Sequence, residues 1–252
     1  MKKILVIYYS QTGQLKQILD SLLRPLSADP AFSVEYLKIR LATPYPFPWT
    51  RNEFLEVFPE SVLEAPIELK PMQAGHPGEY DLIILAFQPW YLSPSLPVST
   101  FLQTPEAERL LRGADVLTVI GARNMWVKSF ERVKERVANL GGRLLGNIVL
   151  VDRAPNLVSV VTICYWVFTG KKERCLGLFP LPGVSAEDIA AAGKFGKAIG
   201  LALEQNHIGG INETLQRLGG ADANVSLARL ENRAKKVFFL WAHAITKRPR
   251  IR

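Results

Sequence analysis

Residues 3–8 (KILVIY) form an unbroken apolar run, rich in β-branched and aromatic side chains. That is the pattern of a strand buried on both faces. A polar stretch, residues 10–14, breaks the run. Leu15, Ile18, Leu19, Leu22 and Leu23 then recur at helical spacing, and Pro25 marks the expected helix end. Residues 32–39 alternate and predict a second strand. Three more buried runs follow at 81–87 (DLIILAF), 115–120 (DVLTVI) and 144–151. Helical material up to Arg112 separates the first two. A charged amphipathic helix over 127–140, stopped by Gly141-Gly142, separates the last two. Strands alternating with helices predict an α/β protein. Right-handed crossovers then favour a doubly wound sheet of five parallel strands with helices on both faces.

Two stretches interrupt this rhythm. Residues 42–79 are rich in proline and carry the aromatic side chains Tyr45, Phe47, Trp49, Phe54 and Phe58. They are too long for an ordinary connection, and predict an ordered insertion covering part of the sheet or a site mouth. Residues 156–168 (NLVSVVTICYWVF) are densely apolar but too short to span a bilayer. A buried helix or strand is the first reading, and a membrane-facing or dimer-facing element the second. Residues 185–204 predict a helix capped by Ser185, with Glu187 and Asp188 in its first turn. Gly193, Gly196 and Gly200 allow close packing along it. A last helix is expected over 226–246, followed by the basic tail Lys247, Arg248, Arg250 and Arg252. The expected division is a sheet domain over 1–205, with its insertion at 42–79, and a basic helical extension over 206–252.

Charge and cysteine content narrow the function classes. The 252 residues hold 31 basic and 23 acidic side chains, a formal charge of +8. A solvated basic face accounts for this, as does an acidic carrier protein or an anionic membrane surface as partner. No nucleic-acid module is recognisable, so nucleic acid is not an expected partner. Cys164 and Cys175 fit no zinc or redox spacing and sit in apolar stretches, so buried free thiols and no metal are expected. The apolar run after Met1-Lys2-Lys3 is too short for a secretory leader and reads as a cytoplasmic first strand.

Three loops leave successive strand ends on one side of the expected sheet. Ser10, Gln11, Thr12, Gly13, Gln14 and Leu15 join the first strand to the first helix. There, open amides and the helix N-terminus suit a phosphate, hydroxyls of Ser10 and Thr12 can donate, and Gly13 lets the backbone approach. The second loop carries Pro89, Trp90, Tyr91 and Leu92, whose rings suit a flat apolar ring system. The third carries Gly121, Ala122, Arg123, Asn124, Met125 and Trp126. Its amides suit a polar ring edge, and Arg123 suits negative charge on a reduced ring. Each loop alone also reads as a plain cap, a hydrophobic plug or a surface ion pair; together they outline phosphate, flat ring and polar edge.

The stretch YYSQTGQ resembles the phosphate loop of flavodoxins, and QPWYLSPSLPVSTFL the flavin-flanking loop of quinone-reductase relatives. Other stretches resemble the dialkylresorcinol condensing enzyme family: PYPFPWT at 44–50, PESVL at 59–63, IGARNMW at 120–126, GNIVLVDRAPNLVSVVTI at 146–163 and FPLPGVS at 179–185. The likeness spans roughly residues 1–205. It implies a flavodoxin-like sheet binding FMN, and action in making dialkylresorcinol lipids of the flexirubin or aryl-polyene kind. In that family a ketosynthase partner is thought to join two acyl chains, and the flavodoxin-like member to aromatise the resulting cyclohexanedione. The residues agree with redox rather than condensing chemistry, since no Cys-His-Asn or Cys-His-His arrangement is present. Tyr91 and His76 are the candidate bases. NADH or NADPH is a candidate electron donor, although no GxGxxG motif is present. The expected partners are a hydrophobic or acyl-derived substrate, an acyl-carrier protein, the ketosynthase, a peripheral membrane contact and a second copy of the chain. An electron-carrier flavodoxin and a non-catalytic assembly protein are the alternatives; the basic charge counts against the first.

Overall fold

The computed structural model describes residues 1–76, 78–222 and 225–246. The basic tail, Lys247 to Arg252, and Pro77 lie outside the described residues. The main sheet comprises β1 (Lys2–Tyr8), β2 (Phe32–Lys38), β3 (Leu82–Phe87), β4 (Asp115–Ala122) and β5 (Arg143–Val151). Every pairing is parallel, in the order β2-β1-β3-β4-β5. This is the flavodoxin-like order, in which ligands bind beyond the carboxyl ends of the strands beside the point where strand order reverses. The five parallel strands expected from the apolar runs are all present.

The strands bury both faces because their side chains alternate. Ile4, Val6, Tyr8, Leu82, Ile84 and Ala86 face one layer of helices. Leu5, Ile7, Ile83, Leu85 and Phe87 face the other. The first layer holds α1 (Gln14–Ser27), α7 (Ala186–Ala191), α8 (Gly193–Glu204) and α9 (Ile211–Arg217). The second holds α3 (Leu96–Phe101), α4 (Pro105–Leu111) and α5 (Val127–Asn139). Ile211 and Leu215 of α9 join the same core as β1 and β5, so that core extends past residue 205.

Some elements differ from the sequence reading. Pro25 lies inside α1, not after it, and Leu26 beyond it is buried. A proline near the end forfeits one backbone bond in a turn that is already fraying. The single helix expected over 185–204 is two, α7 and α8, meeting at Ala192; Ser185 does cap the first, accepting from the amide of Asp188. The insertion contains a helix the periodicity did not show, α2 (Arg51–Leu63), started by a capping box between Thr50 and Glu53. The apolar stretch is a helix, α6 (Asn156–Thr169).

The final helix, α10 (Val225–Thr246), packs on α2 and α5. Phe238 meets Phe58 edge-on at 5.3 Å, and Ala242 is buried beside Val62. Glu231 is buried and accepts from the amides of Lys128 (2.8 Å) and Val127 (3.3 Å). α5 has no side-chain cap of its own, so a carboxylate from α10 satisfies its open N-terminus. Glu64, at the end of α2, is also buried. It receives Arg132 Nε and Arg136 Nη2, each at 2.9 Å, and so ties the insertion to α5.

Candidate functional site

A cleft of about 270 Å³ opens beyond the carboxyl ends of β1, β3 and β4. The three loops singled out in the sequence meet there. Gln11, Thr12, Gln14 and Leu15 line it from the first, Pro89, Trp90 and Tyr91 from the second, and Gly121, Ala122 and Arg123 from the third. Phe47, Trp49 and Phe54 of the insertion cover one side, and Ile163, Cys164, Trp166 and Val167 of α6 another. The wall is therefore mainly apolar and aromatic, with few polar groups.

The first loop ends at Gly13, at φ +83°, and the space beside its α-carbon is open. α1 then begins with no side-chain cap and no acidic residue in its first turn. The Gln14 amide makes one long contact, to Thr12 Oγ1 (3.4 Å); the amides that follow and the positive end of the dipole are open to an anion. Ser10 Oγ is buried without a partner. Gln11 donates to the carbonyl of Pro46 (2.8 Å) and accepts from the Tyr9 hydroxyl, joining loop to insertion. Gln14 is turned aside: its amide pairs with the backbone of Val184, at 3.0 and 3.1 Å.

The second loop is a two-residue hairpin, Pro89–Trp90 paired with Ser93–Pro94. Its turn residues Tyr91 and Leu92 both have positive φ, 49° and 63°. This conformation matches the strand twist but normally calls for Asn or Gly. Trp90 packs edge-on against Tyr9 (5.8 Å), Tyr45 (5.5 Å) and Trp49 (5.3 Å). Tyr91 lies between Phe54 (5.1 Å) and Phe58 (5.2 Å), and its hydroxyl donates to the Phe54 carbonyl. Lys235 of α10 donates to the Leu92 carbonyl (3.3 Å) and to Ser93 Oγ, bracing the turn from behind. Gln88 Oε1, just before the hairpin, is buried and unpartnered.

In the third loop the Arg123 guanidinium donates to the Asn156 carbonyl (2.8 Å), Asn156 Oδ1 (2.6 Å) and Ser159 Oγ (3.0 Å). It thereby fixes the first turn of α6. No carboxylate among the described residues lies within ion-pair distance of it. Burial lowers its pKa, while the field of Asp152 opposes that shift. The cleft thus has a desolvated cation without a contacting anion. Asn124 donates to Ser159 Oγ at 3.4 Å, and its Oδ1 is buried with no partner.

Several expected site residues are placed elsewhere. His76 is exposed, and its amide donates to Glu79, which holds Lys3 at the starting end of β1. The cleft is at the other end of that strand, roughly 20 Å away at the usual rise per residue. His76 is not a base for this site. Tyr91 lines the cleft, but its hydroxyl is committed to a carbonyl and burial pushes its pKa well up. A phenol so held is not a base near neutral pH. Trp126 turns into the core against Phe130 (6.0 Å), Met125 touches Arg123 through its sulfur (3.7 Å), and Leu92 is buried outside the cleft lining. Among the described residues no group of His, Cys, Asp or Glu could hold a metal.

The α6 residues of the wall escaped the sequence reading of the site. Their signal was the dense apolar stretch, which carries no spacing that points at a cleft. Cys164 belongs to this wall; burial raises its pKa, and Arg123 partly offsets that. It is held as a thiol.

No protein-family model matches the chain, and no curated protein matches it. Solved structures do. A flavoprotein from Lactobacillus acidophilus NCFM, solved in complex with FMN, is 18% identical; the match covers 60% of this chain and 94% of that one, with a TM-score of 0.47. A WrbA-like flavodoxin from Agrobacterium tumefaciens is 9% identical over 81% and 99% of the two chains, TM-score 0.44. Flavodoxin 1 from Bacillus cereus is 13% identical over 78% and 95%, TM-score 0.43. These are distant likenesses, and the fold assignment stands on the strand order and its parallel pairings.

Proposed function

We propose that the chain is an FMN-dependent oxidoreductase acting on a hydrophobic ring. The observation that carries this reading is the cleft itself. An uncapped helix N-terminus, an aromatic slot and a desolvated arginine meet at the reversal point of a flavodoxin-like sheet. The residues present fit FMN. The uncapped first turn of α1 and the unpartnered Ser10 hydroxyl suit its phosphate. Trp90, Tyr91 and Trp166 suit a flat ring system. The unpartnered oxygen of Gln88, which lines the cleft, suits a ring N–H donor, since a buried acceptor left unpaired is costly.

Bound FMN supplies hydride acceptance or donation. The chain's own residues do the rest. The insertion and α6 wall the site with apolar side chains and exclude water. Arg123, fixed on α6 and lining the cleft, would offer a positive charge to a reduced flavin held there. The cleft offers no side chain suited to take up a proton near neutral pH, so the proton leaves to solvent through the mouth.

The substrate reading is narrower and rests on the sequence resemblance. It is a cyclohexanedione carrying alkyl chains, oxidised by loss of a hydride and a proton and tautomerised to a dialkylresorcinol. The apolar walls of the cleft accord with such a substrate. The test begins with FMN added to the purified protein. A shifted, quenched flavin band is expected. In separate anaerobic samples the oxidised flavin should be bleached by NADH or NADPH, and by an alkylated cyclohexane-1,3-dione with one dione oxidised per flavin reduced. Absence of FMN binding would overturn the reading. Arg123→Gln should leave oxidised FMN bound and lower its midpoint potential by roughly 30 mV, about 1.4 kcal/mol for a two-electron couple. An unchanged potential would show that Arg123 takes no part in stabilising the reduced flavin.

A further inference from the structure

α10 has two faces of opposite character. Its inner face is fixed by Glu231, Lys235, Phe238 and Ala242 against α5, α2 and the 88–95 loop. Its outer face is exposed. The first half of that face carries Arg229, Arg233 and Lys236, and the second half carries Val237, Leu240, Trp241 and Ile245 at helical spacing. Leu240 and Trp241 are 67% and 61% exposed, far more than side chains of that kind settle for in water. The one acid of the helix, Glu231, faces inward and is buried. Four more basic residues follow in the sequence, Lys247, Arg248, Arg250 and Arg252.

From this arrangement we infer that α10 is a surface-lying membrane helix that docks the protein on anionic phospholipid. The helix would do so whether or not the cleft holds a flavin. Charge decides the occupant. A second copy of this face would set cations against cations, because its described charged side chains are all positive, whereas an anionic lipid surface complements them. The aliphatic and indole side chains beside those cations are the groups that enter the headgroup boundary. No helix among the described residues is long and apolar enough to cross a membrane, so docking is along the surface.

Trp241 gives a specific readout. Of the five tryptophans, Trp49, Trp126 and Trp166 are buried and Trp90 is packed among aromatic rings. Vesicles of phosphatidylcholine alone, and of phosphatidylcholine with phosphatidylglycerol, are floated with the full-length protein while tryptophan emission is recorded. Flotation with the anionic vesicles, a blue shift on binding, and weakening by salt are expected. Trp241→Phe should abolish the blue shift yet still float. Arg233→Gln and Lys236→Gln should each weaken binding about fivefold. Leu240→Glu should abolish flotation while leaving the thermal melt and FMN binding intact, which separates this result from any failure of the flavin site. Equal flotation with both vesicle types, or none, would overturn the proposal. So would a concentration-dependent dimer dispersed by Leu240→Glu, which would make the face a self-association surface.

Discussion

Tyr91 and Leu92 hold a backbone conformation that costs about 1–2 kcal/mol for each non-glycine residue. They keep it because neighbours over-determine it: the Tyr91 ring is gripped by Phe54 and Phe58, its hydroxyl by a carbonyl, and the Leu92 carbonyl by Lys235. Strain kept at a cleft mouth fits a site that needs a ring in one place. Tyr91→Phe retains the ring and loses only the hydrogen bond. It should cost about 1 kcal/mol in urea unfolding, and leave the pH profile of turnover unchanged. A new pH dependence in that variant would restore Tyr91 as a proton carrier and contradict its geometry. Arg123 makes the complementary case at the same scale. A cation this buried, with hydrogen bonds only to uncharged oxygens and the Met125 sulfur, is held in place by α6 and left without a contacting anion.

At the scale of elements, α8 lies against α1 through its glycines. A methyl at Gly196 would collide with the backbone carbonyl oxygen of Leu22, whereas one at Gly200 would meet side chains, the flexible end of Leu26 at 2.9 Å and the Phe32 ring at 3.4 Å. Backbone cannot yield as a side chain can. Gly196→Ala should therefore destabilise by about 2 kcal/mol or more through overpacking, and Gly200→Ala by clearly less, as read from denaturant midpoints. Equal costs would mean that the two helices slide apart freely. The same elements show what a sequence can disclose. β1, β3 and β4 were legible because burial on both faces leaves a plain apolar run. α1 and α5 were legible because one face meets the sheet and the other meets water. α2 was not, because its faces are divided among α10, the cleft and solvent, with Phe58 turned to one and Phe54 to another. Its capping box, Thr50 with Glu53, was the available signal. The three site loops were legible from strand-end position. The α6 wall was not, since its apolar stretch has no spacing that points at a cleft; His76 could have been placed, because a residue just before β3 lies at the starting end of a parallel sheet.

Across the whole molecule, tyrosine ionisation sets the upper limit of pH. All seven tyrosines have raised pKa values, Tyr45 and Tyr80 to about 12, with burial the first cause in both. Tyr9, Tyr36 and Tyr91 are pushed higher, mainly by burial. A phenol whose folded pKa exceeds its unfolded value keeps its proton longer in the native state. Its contribution is complete below about pH 10, the ordinary tyrosine value, and is lost as pH climbs through the folded value. Lys235 acts in the opposite sense: burial lowers its pKa, so the native state binds fewer protons and gains stability as pH rises toward the ordinary lysine value. Lys172, whose pKa burial also lowers, acts in the same sense as Lys235; two lysines are set against several phenols, and the phenols prevail above about pH 10. Unfolding free energy should therefore fall steeply from about pH 10 upward. Absorbance of phenolate should lag the ordinary titration until the near-ultraviolet circular dichroism collapses, and then rise in a single step. Tyr45→Phe should move that collapse to higher pH, because it removes a group that the fold must keep neutral beside Trp49 and Trp90. Free titration of all seven phenols near pH 10 in the folded protein would show that the aromatic cover over the cleft is open to water, and the apolar walls proposed for the ring site would fall with it.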